Sequence, residues 1–476
     1  MNKYLNLPYK QFFKYTLIIS LFFHILAIIF SDGFHRPDEH LGIMRWMSFK
    51  LGLMDDKILS WEYPARIRPW LQPYLYTILL KPFYFLGFNN PFHMSLILRV
   101  VSSTIGFYSL YKISTLIPKY YENEIIKKIV CFSIYLTWFL PFLHARTSSE
   151  NFSLSFFLFG IYFLESDKKL NSKIYGSIFL SLSFIFRFQT CLLIAPYIIG
   201  KYFIQKVQIK KFLIFISVLF LTTLISTYID KIGYNVWTFT PWNYVYQNIF
   251  KGVASGFGVS PFYYYLDKVF SRGVPPLSLI FMIPCIYLWI KKPLNIWSFS
   301  SLVYFISHSL IGHKEVRFIL PMFGVFPFVL GYFLQETNFW KKLKGWPTKL
   351  FLTQTFILLF ISTTKSAYGP MSFYKNLYYS SENIEKIYTL NVIRDKLKFY
   401  LKKDIPFEHI QDNQVNEILK NNSEVFFLMD KFHHREIFFN NKKCKQIYLS
   451  YPEWVMKIKI GNWQKRSKVW SMFKCN

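Results

Sequence analysis

Acidic side chains are scarce in this chain. The 26 Asp and Glu stand against 56 Lys and Arg, for a formal charge of +30. Cysteine is scarcer: there are five and no CxxC pair, which argues against a metal or redox centre. No internal repeat or low-complexity linker is present, so a solenoid or a tethered array is excluded. What the chain does have is apolar bulk. It is 53% hydrophobic and 21% aromatic, too apolar for an ordinary water-exposed surface. The basic residues form no single patch of the kind that grips nucleic acid. They sit in short clusters between apolar runs, where the positive-inside rule puts cytoplasmic loops of membrane proteins.

The run Tyr15 to Phe30 follows Lys3, Lys10 and Lys14, as a signal peptide would. No small-residue cleavage site comes after it and many later runs resemble it, so a retained first span is expected. A spanning helix takes about 20 residues. Candidate spans are 12–30, 95–115, 127–143, 151–165, 173–187, 190–205, 211–229, 277–290, 297–311, 317–334 and 349–363. Placing the lysine-rich connectors on one side gives a consistent alternation. Trp70 to Phe88 breaks it, because a crossing there would reverse everything downstream. With Pro73, Lys81 and Pro82 inside, it is expected to be interfacial or re-entrant. The fold expected is therefore an all-α polytopic membrane protein with about eleven transmembrane helices, or twelve or thirteen if further segments cross. The polar loops, among them 31–70, 230–276 and the Arg187 turn, then share the outer or lumenal face.

Two domains are expected: a membrane domain over 1–363 and a small α+β extramembrane domain over 364–476. In the second, Ile384, Ile387, Tyr388, Ile393, Leu397, Tyr400 and Leu401 recur at helical spacing. Glu424 to Met429 and Gln446 to Tyr451 read as strands. Cys444 and Cys475 are either a disulfide or two free thiols.

Four polar motifs interrupt the apolar pattern. His35-Arg36-Pro37-Asp38-Glu39-His40 follows the first span; its adjacent acids either cap the next helix or do acid–base work. Ser60-Trp61-Glu62-Tyr63 leads into Ala65-Arg66-Ile67-Arg68-Pro69. Two arginines, a carboxylate and a tryptophan there suit an anionic headgroup or a sugar, or else an interfacial belt with lipid-phosphate contacts. His144-Ala145-Arg146-Thr147-Ser148-Ser149-Glu150-Asn151 reads as a helix cap, though Arg146 at a bundle mouth favours an anion. His313-Lys314-Glu315-Val316-Arg317-Phe318 is either a salt-bridged turn or a phosphate clamp; charges cost roughly 2.5–3.5 kcal/mol each at mid-membrane, so a plain connector would carry fewer. The long loop 234–276, with Trp237, Trp242 and Asn243, is aromatic and polar enough to cover a sugar or lipid cleft.

In this order the motifs resemble those of the polyprenol-phosphate-mannose-dependent mannosyltransferases of the GT-C class. The resemblance runs from Phe34 to Phe318, with HKEVRF its most specific element. The branch that assembles GPI anchors looks the nearer, partly from WTFTPWNYVYQN at 237–248. His35-Arg36-Pro37 stands where the family has His-Pro, and Arg68-Pro69 where it has Arg-Ser; Asp38 and Glu39 are in place.

The resemblance implies a GT-C-like fold and inverting transfer of mannose from a polyprenyl or dolichyl phosphate to a lipid-linked glycan or GPI-type acceptor. Asp38 is expected to be the general base, with Glu39 orienting the acceptor or tuning Asp38; a like-charged neighbour and partial burial should raise the Asp38 pKa. Substrate and donor phosphate would be held by His35, Trp61, Glu62, Arg66, Arg68, Arg146, His313, Lys314, Glu315 and Arg317. No Asp-x-Asp motif is present, so no metal and no other cofactor is expected. The partners expected are the lipid-phosphate sugar, the glycolipid acceptor and membrane lipids, in the endoplasmic reticulum membrane of a eukaryote or the plasma membrane of a bacterium. The alternatives are a transporter or flippase of a lipid-linked or anionic solute, or another lipid-linked-glycan enzyme.

Overall fold

The computed structural model describes residues 6–55, 59–166, 169–205, 209–273, 275, 277–342, 346–364, 370–390, 397–421, 423–431, 434–439, 443–458, 463–466 and 469–476. The chain forms two compact units. One takes in Met1–Ser31, Pro37–Phe88 and Leu96–Lys365; the other takes in Asp32–Arg36, Asn89–Ser95 and Ser366–Asn476.

The first unit is helical. Its core joins Phe12 and Phe23 of helix Tyr9–Phe30, Val130 and Ile134 of Glu124–Leu136, Phe157 and Ile161 of Ser149–Ser166, and Phe328 and Val329 of Phe326–Thr337. Asparagines start two of its helices: the Asn123 side chain accepts from Ile125 and Ile126 N–H, and Asn295 from Trp297 N–H. Helix Ile209–Tyr234 runs 26 residues yet leaves Leu221, Leu224 and Ile225 at least half exposed. Such a surface is stable only where the solvent is hydrocarbon. This is an integral membrane protein.

Among the described residues, three helices are long and apolar enough to cross a bilayer: Tyr9–Phe30, Pro91–Tyr120 and Ile209–Tyr234. Two bent pairs, Ser278–Lys291 with Ile296–Leu310 and Val316–Gly324 with Phe326–Thr337, raise the number to five. Helix lengths therefore establish fewer crossings than the eleven apolar runs suggested, although a helix occupies each run. The segment after Trp70 is the 15-residue helix Leu71–Phe85. At 1.5 Å per residue it rises about 22 Å, short of a straight crossing.

The second unit is built on a five-stranded sheet, β1 Ile387–Leu390, β2 Phe407–His409, β3 Val425–Met429, β4 Cys444–Leu449 and β5 Ser471–Cys475, in the order β2-β1-β3-β5-β4. β1 runs parallel to both neighbours, and β5 antiparallel to β3 and β4. One expectation is corrected here. The described apolar positions between Ile384 and Leu401 do not form a helix. They supply strand β1 and a 3-10 turn at Lys398–Tyr400, while 391–396 lie outside the described residues. Ile384, Ile387, Leu390, Leu397 and Tyr400 are nonetheless all buried. Pairing on both edges of β1 overrode the helical spacing. Cys444 and Cys475 face each other in register on β4 and β5 and are joined as a disulfide.

Candidate active site

Asp38 sits in the short turn Pro37–Glu39, with proline at a first-turn position where its missing N–H costs nothing. The turn continues into the helical segment His40–Lys50. Successive residues on a helical turn point about 100° apart, so Asp38 and Glu39 cannot address the same target. They do not. Glu39 is buried and accepts from the backbone N–H (2.7 Å) and hydroxyl (2.8 Å) of Thr147, fastening the 144–151 segment to the first loop.

Asp38 faces the other way, into arginines. Its Oδ2 lies 2.7 Å from Arg317 Nη2 and 3.1 Å from Arg68 Nη2, and its side chain is 35% exposed. Each arginine is tied to a further carboxylate, Arg68 Nε to Glu62 at 2.5 Å and Arg317 Nη2 to Glu315 at 2.7 Å. Arg317 Nη1 is 3.7 Å from Glu150, which also pairs with Arg187 Nη1 at 3.2 Å. The Arg187 and Arg317 guanidiniums lie against the Phe318 ring, 5.1 and 5.2 Å from its centroid. The result is a network of four carboxylates and three guanidiniums, with Asp38 its most exposed carboxylate.

The local fold explains why Arg68 reaches Asp38. Gly42 leaves room for it: a Cβ there would stand 2.8 Å from Arg68 Cζ and Nε. Behind it, Trp46, Trp70 and Tyr234 form a buried aromatic cluster. Tyr234 hydroxyl donates to the Arg68 carbonyl at 2.8 Å, and Trp70 N–H donates to Asp230 at 2.7 Å. Arg66, at φ +51, turns the chain just before it.

The expectation of a raised Asp38 pKa is corrected by this arrangement. Burial pushes the carboxyl up, but the guanidiniums of Arg68, Arg317 and Arg187 outweigh it and hold the group well below the usual carboxylate range. Glu39, expected as the like-charged neighbour, points to Thr147, and the charges that set the Asp38 carboxyl are those of the arginines.

Of the residues singled out from sequence, Asp38, Glu62, Arg68, His313, Glu315 and Arg317 come together. His313 Nε2 is 3.5 Å from Glu315. Trp61 stands beside Glu62, stacked on Phe257. Others lie elsewhere. Arg146 is buried and donates to the carbonyl and hydroxyl of Ser31. Lys314 turns its ammonium to the carbonyls of Ser260 (2.8 Å) and Ile311 (2.6 Å). The Arg66 side chain is exposed and His35 belongs to the second unit. Glu150, read from sequence as a helix cap, and Arg187, read only as part of a turn, belong to the network. A lone arginine inside the apolar stretch 173–205 was the available signal, since an uncompensated charge there is costly. Among the described residues no three His, Cys, Asp or Glu converge in a geometry fit for a metal ion.

Comparison with known proteins gives this arrangement its context. The chain is 26% identical over 382 residues to human GPI alpha-1,2-mannosyltransferase 3, covering 78% of this chain and 66% of that protein. It is 28% identical over 317 residues to GPI mannosyltransferase 3 of Candida albicans, covering 65% and 62%. The match thus spans about two thirds or less of these relatives' length. The fold is similar to that of ArnT from Cupriavidus metallidurans bound to undecaprenyl phosphate, at TM-score 0.54 and 9% identity over 97% of each chain. The apo form of ArnT gives 0.58, again at 9% identity. At that identity the likeness shows the GT-C fold alone. The model of the Alg9-like mannosyltransferase family matches residues 13–396. That match takes in most of the chain and every element of the Asp38 network, and the protein belongs to the Alg9-like mannosyltransferase family.

Proposed function

We propose that this protein transfers mannose from a polyprenyl or dolichyl phosphate to a hydroxyl of a GPI-type or other lipid-linked glycan, with inversion, on the outer or lumenal face of its membrane. The observation that carries the proposal is Asp38: a partly exposed carboxylate held between Arg68 and Arg317. Asp38 removes the acceptor hydroxyl proton. The oxygen attacks the anomeric carbon, and the bond from that carbon to the phosphate oxygen breaks with its electron pair going to the leaving polyprenyl phosphate. The added negative charge on that phosphate falls to Arg317 and Arg68, with Arg187 behind them, which are fixed before reaction and need little rearrangement. As the phosphate takes a share of the guanidiniums, their hold on Asp38 weakens and its basicity rises.

No step calls on a metal ion, and transfer is expected to proceed without one. The membrane domain is assigned about eleven crossings, with the lysine-rich connectors on the cytoplasmic side. The Cys444–Cys475 disulfide suits an oxidising compartment for the tail. Purified protein in vesicles should move labelled mannose from polyprenyl-phosphate mannose to a glycolipid acceptor. Movement of the intact donor across the bilayer without transfer would instead make it a flippase. Transfer from a nucleotide sugar in preference to the lipid donor would overturn the donor assignment.

A further inference from the structure

The Asp38 network closes on itself through two aromatic rings that its charges do not require. On one side the contacts run Asp38, Arg68, Glu62, and Glu62 is followed backward in sequence by Trp61. On the other they run Asp38, Arg317, Glu315, His313. The two ends meet: Trp61 and Phe257 stack with centroids 5.9 Å apart and planes 29° apart, and Phe257 lies 6.0 Å from the His313 ring. Trp61 is 39% exposed and Phe257 59%. Large aromatic faces left open beside fixed carboxylates lose apolar burial, unless something with both an apolar face and hydroxyls covers them.

The segment that presents Phe257 is held deliberately. It is a 3-10 turn, Val253–Phe257, entered through Gly252 at φ +66 and left through Gly258 at φ +107, conformations open to glycine. Three contacts fasten the residues just after it to the HKEVRF motif and to Gly312 before that motif. Ser260 N–H donates to the Gly312 carbonyl at 3.0 Å, Lys314 Nζ to the Ser260 carbonyl at 2.8 Å, and the His313 ring nitrogen Nδ1 lies 3.0 Å from the Gly258 carbonyl. Lys314 thus spends its charge on backbone oxygens that fix the turn, and is not aimed at the carboxylates.

We infer that the stacked Trp61–Phe257 pair forms a ledge for a hexopyranose ring at the mouth of the Asp38 site, the open face of one ring meeting the sugar and the other ring backing it, with His313 and Lys314 serving as the latch that holds the ledge. A hexose offers a face of weakly positive C–H groups to the negative aromatic face and hydroxyls at its rim. Glu62 and Glu315, at the two ends of the ledge, are placed to accept from those hydroxyls. The inference rests on the sugar-transfer reading, and two sugars share this chemistry: the donor mannose and the terminal sugar of the acceptor.

Initial rates of labelled mannose transfer, with donor and acceptor varied separately, test it on wild type, Trp61→Ala, Phe257→Ala, Trp61→Phe and Phe257→Tyr. Each alanine variant should raise one KM by roughly tenfold, the loss of one stacked face, while the aromatic replacements stay near wild type. A raised acceptor KM assigns the ledge to the acceptor sugar, and a raised donor KM assigns it to the donor sugar. Should both alanine variants be inactive, Trp61→Phe and Phe257→Tyr decide, because a tenfold rise in KM with the ring face retained contradicts stacking. Unchanged KM values for both substrates in active alanine variants overturn the ledge and leave the transferase reading standing. Absence of transfer by the wild type overturns the transferase reading itself.

Discussion

Arg317→Met removes the group on which most of the network converges. Its Nη2 lies 2.7 Å from both Asp38 and Glu315, and its Nη1 3.7 Å from Glu150, with only 10% of the side chain exposed. Methionine preserves much of the stem and deletes the charge. Two effects separate. First, the leaving phosphate loses one cation fixed in advance, an effect worth about 3–4 kcal/mol, or roughly 10²–10³ in kcat. Second, three carboxylates lose a counter-ion. A fully buried broken pair costs about 3–5 kcal/mol, but Asp38 is a third exposed and solvent screens part of that loss, so the stability penalty falls below this range. The pH dependence has a definite sign. The folded pKa of Asp38 is depressed, so its pairing stabilises the protein above the unfolded carboxyl pKa, and that stability is lost as pH falls through the folded value. Deleting Arg317 raises the folded pKa, so the acid limb of kcat/KM moves to higher pH. Rates of labelled mannose transfer from about pH 8 down to the lowest pH at which both proteins stay monodisperse by size exclusion read both effects: the variant should begin to lose activity at a higher pH than wild type, whose Asp38 limb lies below the usual carboxylate range. A folded variant with kcat within about threefold of wild type, or with an unmoved acid limb, refutes the paired roles of Arg317.

Gly42→Ala sets a Cβ 2.8 Å from Arg68 Cζ and should displace that guanidinium from Asp38, cutting transfer by about 10²-fold in protein that stays monodisperse; full activity would show that Arg68 is not needed where it stands. Exhaustive EDTA treatment should leave transfer unchanged, and a loss restored by a divalent ion would reject metal-independent chemistry. Replacing Cys444 and Cys475 together by serine opens a link of sequence separation 31, worth up to about 4 kcal/mol, so the second unit should melt earlier. Unchanged melting would show that the link adds no stability.

The sequence made the helical membrane class readable, because lipid-facing helices such as Ile209–Tyr234 must be apolar along their whole length. It also marked most of the charged cluster, because charge in apolar surroundings is expensive enough to stand out at Asp38, Arg68 and Arg317. What it hid was direction. Asp38 and Glu39 are equivalent in one dimension, and only the turn that separates them by about 100° assigns one to arginines and the other to Thr147. Lys314 and Arg317 both looked like phosphate ligands until the 252–260 segment claimed the lysine. Arg187 reaches Glu150 from another helix end, a contact that no local pattern encodes. The helical spacing at 384–401 misled for a related reason: burial was read correctly, but β1 takes its conformation from strands lying 20 and about 40 residues further along.

The most direct test compares wild type with Asp38→Asn in single-turnover transfer at saturating polyprenyl-phosphate mannose and glycolipid acceptor. Asparagine keeps the size and a hydrogen-bonding oxygen but cannot take the proton. Wild type should give product of inverted anomeric configuration, while Asp38→Asn should still bind the donor and transfer at least about 10³-fold more slowly. Near-normal transfer by Asp38→Asn, or retention of configuration in the wild-type product, would contradict Asp38 as the base.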